Sequence, residues 1–174
     1  MAVHIIIDGY NLIRQSAELS LLDRMDLQQG REALLEMLGS YKKIKRHQIT
    51  VVFDGTDAYA LYRQRDQTKG ITVLFSRRGE TADTVIKNMV AREREGALVV
   101  SSDRGVVNYV VSQKAASMSS PEFMERLIMA SWSQEKGIHP DDEMSGWKPT
   151  TRKKGPSRRL SKKESRNRQK TNKI

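Results

Sequence analysis

Three apolar runs in this chain each end in an aspartate. Val3 to Ile7 leads into Asp8-Gly9-Tyr10-Asn11, Gln48 to Phe53 into Asp54-Gly55, and Ala97 to Ser102 into Asp103-Arg104-Gly105. Short runs dominated by β-branched residues, without polar alternation, read as strands buried on both faces, the signature of a parallel sheet. A carboxylate directly after such a run sits at the strand's C-terminal end. In open α/β sheets that edge is where ligands bind, because the loops leaving the strands line a crevice and helix N-termini point into it.

The segments between these runs supply helices and one more strand. Leu12 to Arg14 reads as one short helical turn. From Asp26 to Lys45, residues Leu27, Leu34, Leu35, Leu38 and Tyr41 share one face at helical spacing, while Arg31, Glu32, Lys42, Lys43 and Lys45 read as an ordinary solvated face. Thr56 to Gln67 is a polar connection containing Tyr59, Tyr62, Arg63 and Arg65, residue types that either stack on bases and hold phosphates or cover a sheet edge. Ile71 to Phe75 is a strand ending in Ser76-Arg77-Arg78-Gly79. Glu80 and Asp83 then fall in the first turn of a helix that stops near Gly96, where acids are also ordinary partners of the helix dipole. A helix is expected from Arg104 to Gln113 and a short edge strand over Ala115 to Met118. The last helix opens at Ser119-Ser120-Pro121-Glu122, with Phe123, Leu127, Ile128 and Ala130 to Trp132 on its apolar side. Alternation of this kind predicts an α/β fold, a mainly parallel central sheet with helices on both faces, with Asp8, Asp54 and Asp103 on one edge and Asp83 nearby.

Charge is distributed unevenly along the 174 residues. Lys148 to Ile174 carries twelve Lys or Arg against Glu164 alone, a balance of +11, whereas the preceding 147 residues balance to −1. A near-neutral globular part with a basic extension fits contact with a polyanion such as RNA, since each neutralised phosphate releases counterions. Apart from Leu160 and Ile174 the extension has almost no apolar residues, so disorder is expected over 148–174, after an acidic linker at 137–147. The chain has no cysteine, which removes disulfides, thiolate chemistry and Cys-ligated zinc. With no apolar run of membrane-spanning length and no secretory leader pattern, the expected location is cytoplasmic.

Several carboxylates gathered in one crevice raise one another's pKa, and a divalent cation relieves that repulsion. Hard oxygen donors with waters completing the shell suit Mg²⁺ or Mn²⁺ rather than zinc. Such an ion can activate water and stabilise charge on a phosphodiester, so acids plus a basic extension point to a metal-dependent nuclease. An aspartyl phosphotransferase fits less well, because Tyr10 stands where its second aspartate belongs. No Gly-rich nucleotide-binding loop is present. The competing reading is a non-catalytic RNA- or ribosome-binding module whose acids only cap helices. His4, His47 and His139 are scattered and receive no catalytic role, with His4 expected in the core.

Taken in order, Asp8-Gly9-Tyr10-Asn11, Phe53-Asp54-Gly55, Glu80-Thr81-Ala82-Asp83 and Ser101-Ser102-Asp103 resemble the NYN domains of the PIN-like nuclease superfamily, specifically the YacP-like bacterial branch. The resemblance spans roughly residues 2 to 135. It implies a Rossmann-like PIN/NYN fold over 1–136 and Mg²⁺- or Mn²⁺-dependent endoribonuclease activity on single-stranded RNA, with mRNA as substrate and the ribosome as a partner. It also implies that Asp8, Asp83 and Asp103 are the catalytic and metal-site acids, supported by Asn11, Asp54 and Glu80. The basic residues placed to meet RNA are Arg63, Arg65, Arg77, Arg78 and Arg104, with Lys153, Lys154, Arg158 and Arg159 in the extension. Arg104 and Val106 occupy the positions where many PIN-like sites carry a further acid, which leaves the number of metal ions open.

Overall fold

The computed structural model describes residues 3–55, 64–135, 162–172 and 174. Six strands, β1 (His4–Asp8), β2 (Gln48–Phe53), β3 (Gln64–Thr68), β4 (Ile71–Phe75), β5 (Ala97–Val100) and β6 (Ala116–Met118), form one sheet in the order β3-β4-β2-β1-β5-β6. Every pairing is parallel except β3 with β4. The helices are α1 (Gly9–Ile13), α2 (Ala17–Met25), α3 (Leu27–Ile44), α4 (Ala82–Glu93), α5 (Arg104–Ser112), α6 (Ser120–Glu135) and α7 (Lys162–Thr171).

Strand side chains alternate between faces, so β1 serves two cores at once. Ile5 and Ile7 pack with Leu34, Leu38, Phe123 and Leu127 of α3 and α6, whereas Ile6 packs with Val85 and Ile86 of α4 and Val106 and Val110 of α5. Helices on both faces explain why the strands lack polar alternation. His4 bridges the two neighbouring elements, its Nδ1 lying 2.6 Å from Glu93 Oε2 and its Nε2 2.8 Å from Thr50 Oγ1. Among the described residues no helix is long and apolar enough to cross a membrane.

The structure differs from the sequence expectations at four places. β3 is a strand where a polar connection was expected; it folds back on β4 through Lys69 and Gly70, both at positive φ (53° and 74°), a two-residue hairpin turn. α2 was not anticipated; Leu19 is its one buried residue, and Leu21 and Met25 are exposed. Leu27, Ile128 and Trp132, expected in the core, are exposed; the buried stripe of α6 is Phe123, Met124, Leu127 and Ala130.

The fourth difference is in the basic extension. Disorder was expected over 148–174, yet Lys162–Thr171 is helical and lies beside edge strand β6. Asn167 pairs with the outward side of Ser117, its Oδ1 accepting from the Ser117 amide at 2.9 Å and its Nδ2 donating to the Ser117 carbonyl at 3.2 Å. Those two groups would otherwise be an open edge. Lys170 donates to the Glu95 carbonyl, and Ile174 is buried with the α3/α6 core. Removing everything after Trp147 therefore takes away part of the fold. Asn167→Ala is expected to cost about 1 kcal/mol and to speed hydrogen exchange at Ser117 selectively, which amide-resolved exchange checks; unchanged Ser117 protection would show that α7 does not seal this edge.

Candidate active site

Parallel β1, β2 and β5 end side by side, and the first residues after them are the loops and helix starts that carry the aspartates. Asp8 closes β1 and is only 8% exposed. Its Oδ1 accepts the Asn11 amide at 3.3 Å, capping α1, and its Oδ2 accepts the Ser101 hydroxyl at 3.2 Å. Ser101 Oγ in turn accepts the Asp103 amide at 3.1 Å, which ties the end of β5 to the carboxylate of β1. Asp103 caps α5 by accepting the Val106 amide at 2.9 Å, and Asp54 reaches across to accept the Ala82 amide at 2.7 Å at the start of α4. Asp83 lies in the first turn of α4, partly exposed.

Three of the four aspartates therefore cap helices, as the binding-module reading requires. Capping alone lowers a carboxylate's pKa. Asp8 goes the other way, up to about 6, because burial outweighs the stabilising Asn11 amide and Ser101 hydroxyl, and the charges of Asp83 and Asp54 add to the rise. Asp83 is also raised, first by burial and then by the charges of Asp103 and Asp54, against the opposing pull of Lys87. Asp83 is thus the common neighbour, its charge felt by Asp8 and its own carboxyl facing the charges of Asp54 and Asp103.

Asn11, expected in a supporting place beside Asp8, acts through both backbone and side chain. Its backbone amide meets Asp8. The side-chain Oδ1 accepts the Ser102 amide at 3.0 Å and the Ser120 hydroxyl at 2.6 Å, and Ser102 Oγ accepts the Ser120 amide at 3.1 Å. Asn11 thus locks together the ends of β1 and β5 and the start of α6. Glu80 lies outside α4, in a turn closed by its amide donating to the Arg77 carbonyl at 3.0 Å, before the Thr81 cap.

Among the basic candidates, Arg65 on β3, Arg77 and Arg78 after β4, and Arg104 at the start of α5 are exposed; Arg63, Lys153, Lys154, Arg158 and Arg159 lie outside the described residues. Arg104 helps line a cavity of about 280 Å³ beside Asp103, together with Ser101, Ser102, Asn108 and Ser119. The sequence reading quoted Ser101 and Ser102 only as part of the Asp103 motif and Ser119 only as a capping signal, and it did not single out Asn108. It also placed Arg31 on a solvated face, whereas Arg31 is half-buried against three aromatic rings, because α3 is turned so that this position overhangs the ends of β2 and β4.

The donors at this edge are all hard oxygens. Among the described residues no three His, Asp or Glu side chains are grouped to enclose an ion by themselves. That composition fits Mg²⁺ or Mn²⁺ taken up by one or two carboxylates, with water completing the shell, and is wrong for zinc.

The similarities of the chain agree with this layout. It superposes on the crystal structure of Rae1 (YacP) from Bacillus subtilis with a TM-score of 0.65 at 22% identity, over 79% of this chain and 80% of that one. A crystal structure of a point mutant of the same protein gives 0.65 at 21% identity, over 82% and 86%. In sequence, it is 26% identical over 85 residues to the uncharacterized protein YacP of Bacillus subtilis (strain 168), which is 49% of each chain; the match spans about half the length of that curated relative. The YacP-like NYN domain family matches residues 5–173, so the likeness extends through α7 and not only to residue 135. The chain therefore belongs to the YacP-like NYN domain family.

Proposed function

We propose that this chain is a Mg²⁺- or Mn²⁺-dependent endoribonuclease that cleaves single-stranded RNA, with mRNA on the ribosome as its substrate. The observation that carries the reading is Asp8: a buried carboxylate held at a strand end among like charges, with its pKa pushed up to about 6. A fold that needed only helix caps has no reason to keep that repulsion. Of Asp8, Asp83 and Asp103, one or two would hold the ion directly and the rest would reach it through its water shell, with Asp54 adding charge from the β2 end. A divalent ion bound there supplies charge neutralisation and water activation for phosphodiester hydrolysis.

The chain's own residues do the positioning. Ser101 and the Asn11 amide hold the Asp8 carboxylate in one orientation, and the Asn11 side chain keeps the loops bearing Asp8 and Asp103 in register. The cavity beside Asp103 joins apolar wall from Val107 and Met118 to the polar groups of Ser101, Ser102, Asn108 and Ser119, a lining suited to a base unstacked from a single strand, which favours flexible RNA over duplex. The exposed arginines meet the backbone.

The helix-capping contacts favour one alternative, a module that binds RNA or the ribosome without cutting. Labelled single-stranded RNA incubated with Mg²⁺, with Mn²⁺ and with chelator, alone and on translating ribosomes, separates the two. Metal-dependent cleavage that disappears in Asp8→Asn is the expected result. Binding without cleavage in every condition, ribosomes included, would leave the module.

A further inference from the structure

We infer that Arg31 is an RNA phosphate anchor, held ready on an aromatic platform beside the aspartates; this rests on the RNA-directed reading above but not on hydrolysis. Its guanidinium lies 5.5 Å from the ring centres of Tyr10 and Phe53 and 5.1 Å from that of Phe75. Phe53 and Phe75 are the last residues of β2 and β4, and Tyr10 follows Asp8 by two residues, so the platform occupies the same sheet edge as the acids. The rings brace one another, Tyr10 edge-on to Phe53 at 5.1 Å and Phe53 stacked on Phe75 at 5.8 Å.

Both Arg31 donors with a partner, Nε at 3.0 Å and Nη2, go to one neutral acceptor, the Tyr10 hydroxyl. Among the described residues no carboxylate lies within ion-pair distance of Arg31, although it is half-buried. A guanidinium has five N–H donors in a planar fork suited to phosphate oxygens. The cation–ring contacts hold the guanidinium in place without using up its N–H donors, and Arg77 and Arg78, exposed just after Phe75, continue the positive charge outward. The aspartates alone would repel a polyanion. A fixed cation on the β2/β4 side attracts one to the edge where the acids lie, while the cavity beside Asp103 lies on the β5 side.

The test measures binding of a 5′-labelled twelve-nucleotide single-stranded RNA to the full chain in chelator, as a function of salt. Arg31→Gln is expected to weaken binding about ten-fold at moderate salt and to reduce the slope of log K against log salt by about 0.7, the value for one phosphate contact on a single strand. Arg31→Lys should retain the slope but lose several-fold in affinity, because it keeps the charge and not the fork. In the ¹⁵N-labelled wild type, the Arg31 Nε–H resonance should shift along the same binding curve, a readout that survives if the variants fold poorly.

Unchanged affinity and slope in folded Arg31→Gln, or an Arg31 resonance that ignores RNA, would overturn the anchor. Cleavage with unchanged Arg31→Gln binding removes the anchor and leaves the nuclease. RNA binding that depends on Arg31 without cleavage under any condition keeps the anchor and removes hydrolysis. A wild type that binds no free single-stranded RNA overturns the anchor, and the nuclease reading then stands or falls on the ribosome assay.

Discussion

Asp8→Asn is expected to abolish RNA cleavage while making the metal-free fold more stable. Losing a carboxylate that holds the ion removes several kcal/mol of transition-state stabilisation, roughly a thousand-fold in rate. Stability moves in the opposite direction. Asp8 titrates near 3.8 when exposed and at about 6 in the fold. The folded state therefore binds the proton more tightly than the unfolded one. Stability is highest below the unfolded value and declines as pH rises from about 4 through 6. About two pKa units correspond to a penalty of about 3 kcal/mol at neutral pH, and asparagine does not bear it.

Melting in chelator should accordingly show wild type less stable at pH 7.5 than at pH 5, with Asp8→Asn flatter across that window and several degrees more stable at its upper end. Adding Mg²⁺ or Mn²⁺ should raise the wild-type melting temperature and leave the variant almost unmoved, because ion binding stabilises only a fold that has the site. A variant that still cuts RNA, or wild type and variant with the same pH dependence, would remove Asp8 from its assigned place.

Gly9→Ala is expected to cost about 3 kcal/mol, toward the upper end for inserting one carbon into a packed core. A Cβ at position 9 would lie against the Phe53 ring, with Cζ at 2.8 Å and nearer ring carbons closer still. Phe53 has nowhere to go: it is fully buried, with Tyr10 and Phe75 against it. The damage would also tilt the surface under Arg31, so RNA affinity should fall with stability. Urea titration measures the first effect and RNA titration the second; an unchanged denaturation midpoint would mean that the ring can yield.

Most of the central sheet was legible because its signal is local. Ile5, Ile6, Val51, Val52, Val99 and Val100 are all fully buried, and only a strand between two helical layers needs every side chain apolar. The strand-end aspartates were legible for the same reason. Polar strand β3 escaped detection because its order comes from pairing with β4, not from burying a face. Helix α7 escaped because one asparagine and one isoleucine dock a segment whose composition is otherwise that of a disordered chain. Asn11 was singled out for its place beside Asp8, whereas its side-chain contacts with Ser102 and Ser120 were not legible, since sequence distance shows nothing about groups far along the chain.

Alternation of apolar runs, helices and terminal acids was enough by itself to determine an α/β fold with carboxylates at one edge, because strand burial and crossover handedness leave few other arrangements. Tertiary structure alone decided that Asp8 keeps a raised pKa, that Ser101 and Asn11 tie the loops together, and that Arg31 lies over Tyr10, Phe53 and Phe75. Those properties depend on groups distant in sequence sharing a small, poorly hydrated volume, where burial and through-space charge outweigh anything a residue inherits from its neighbours in the chain.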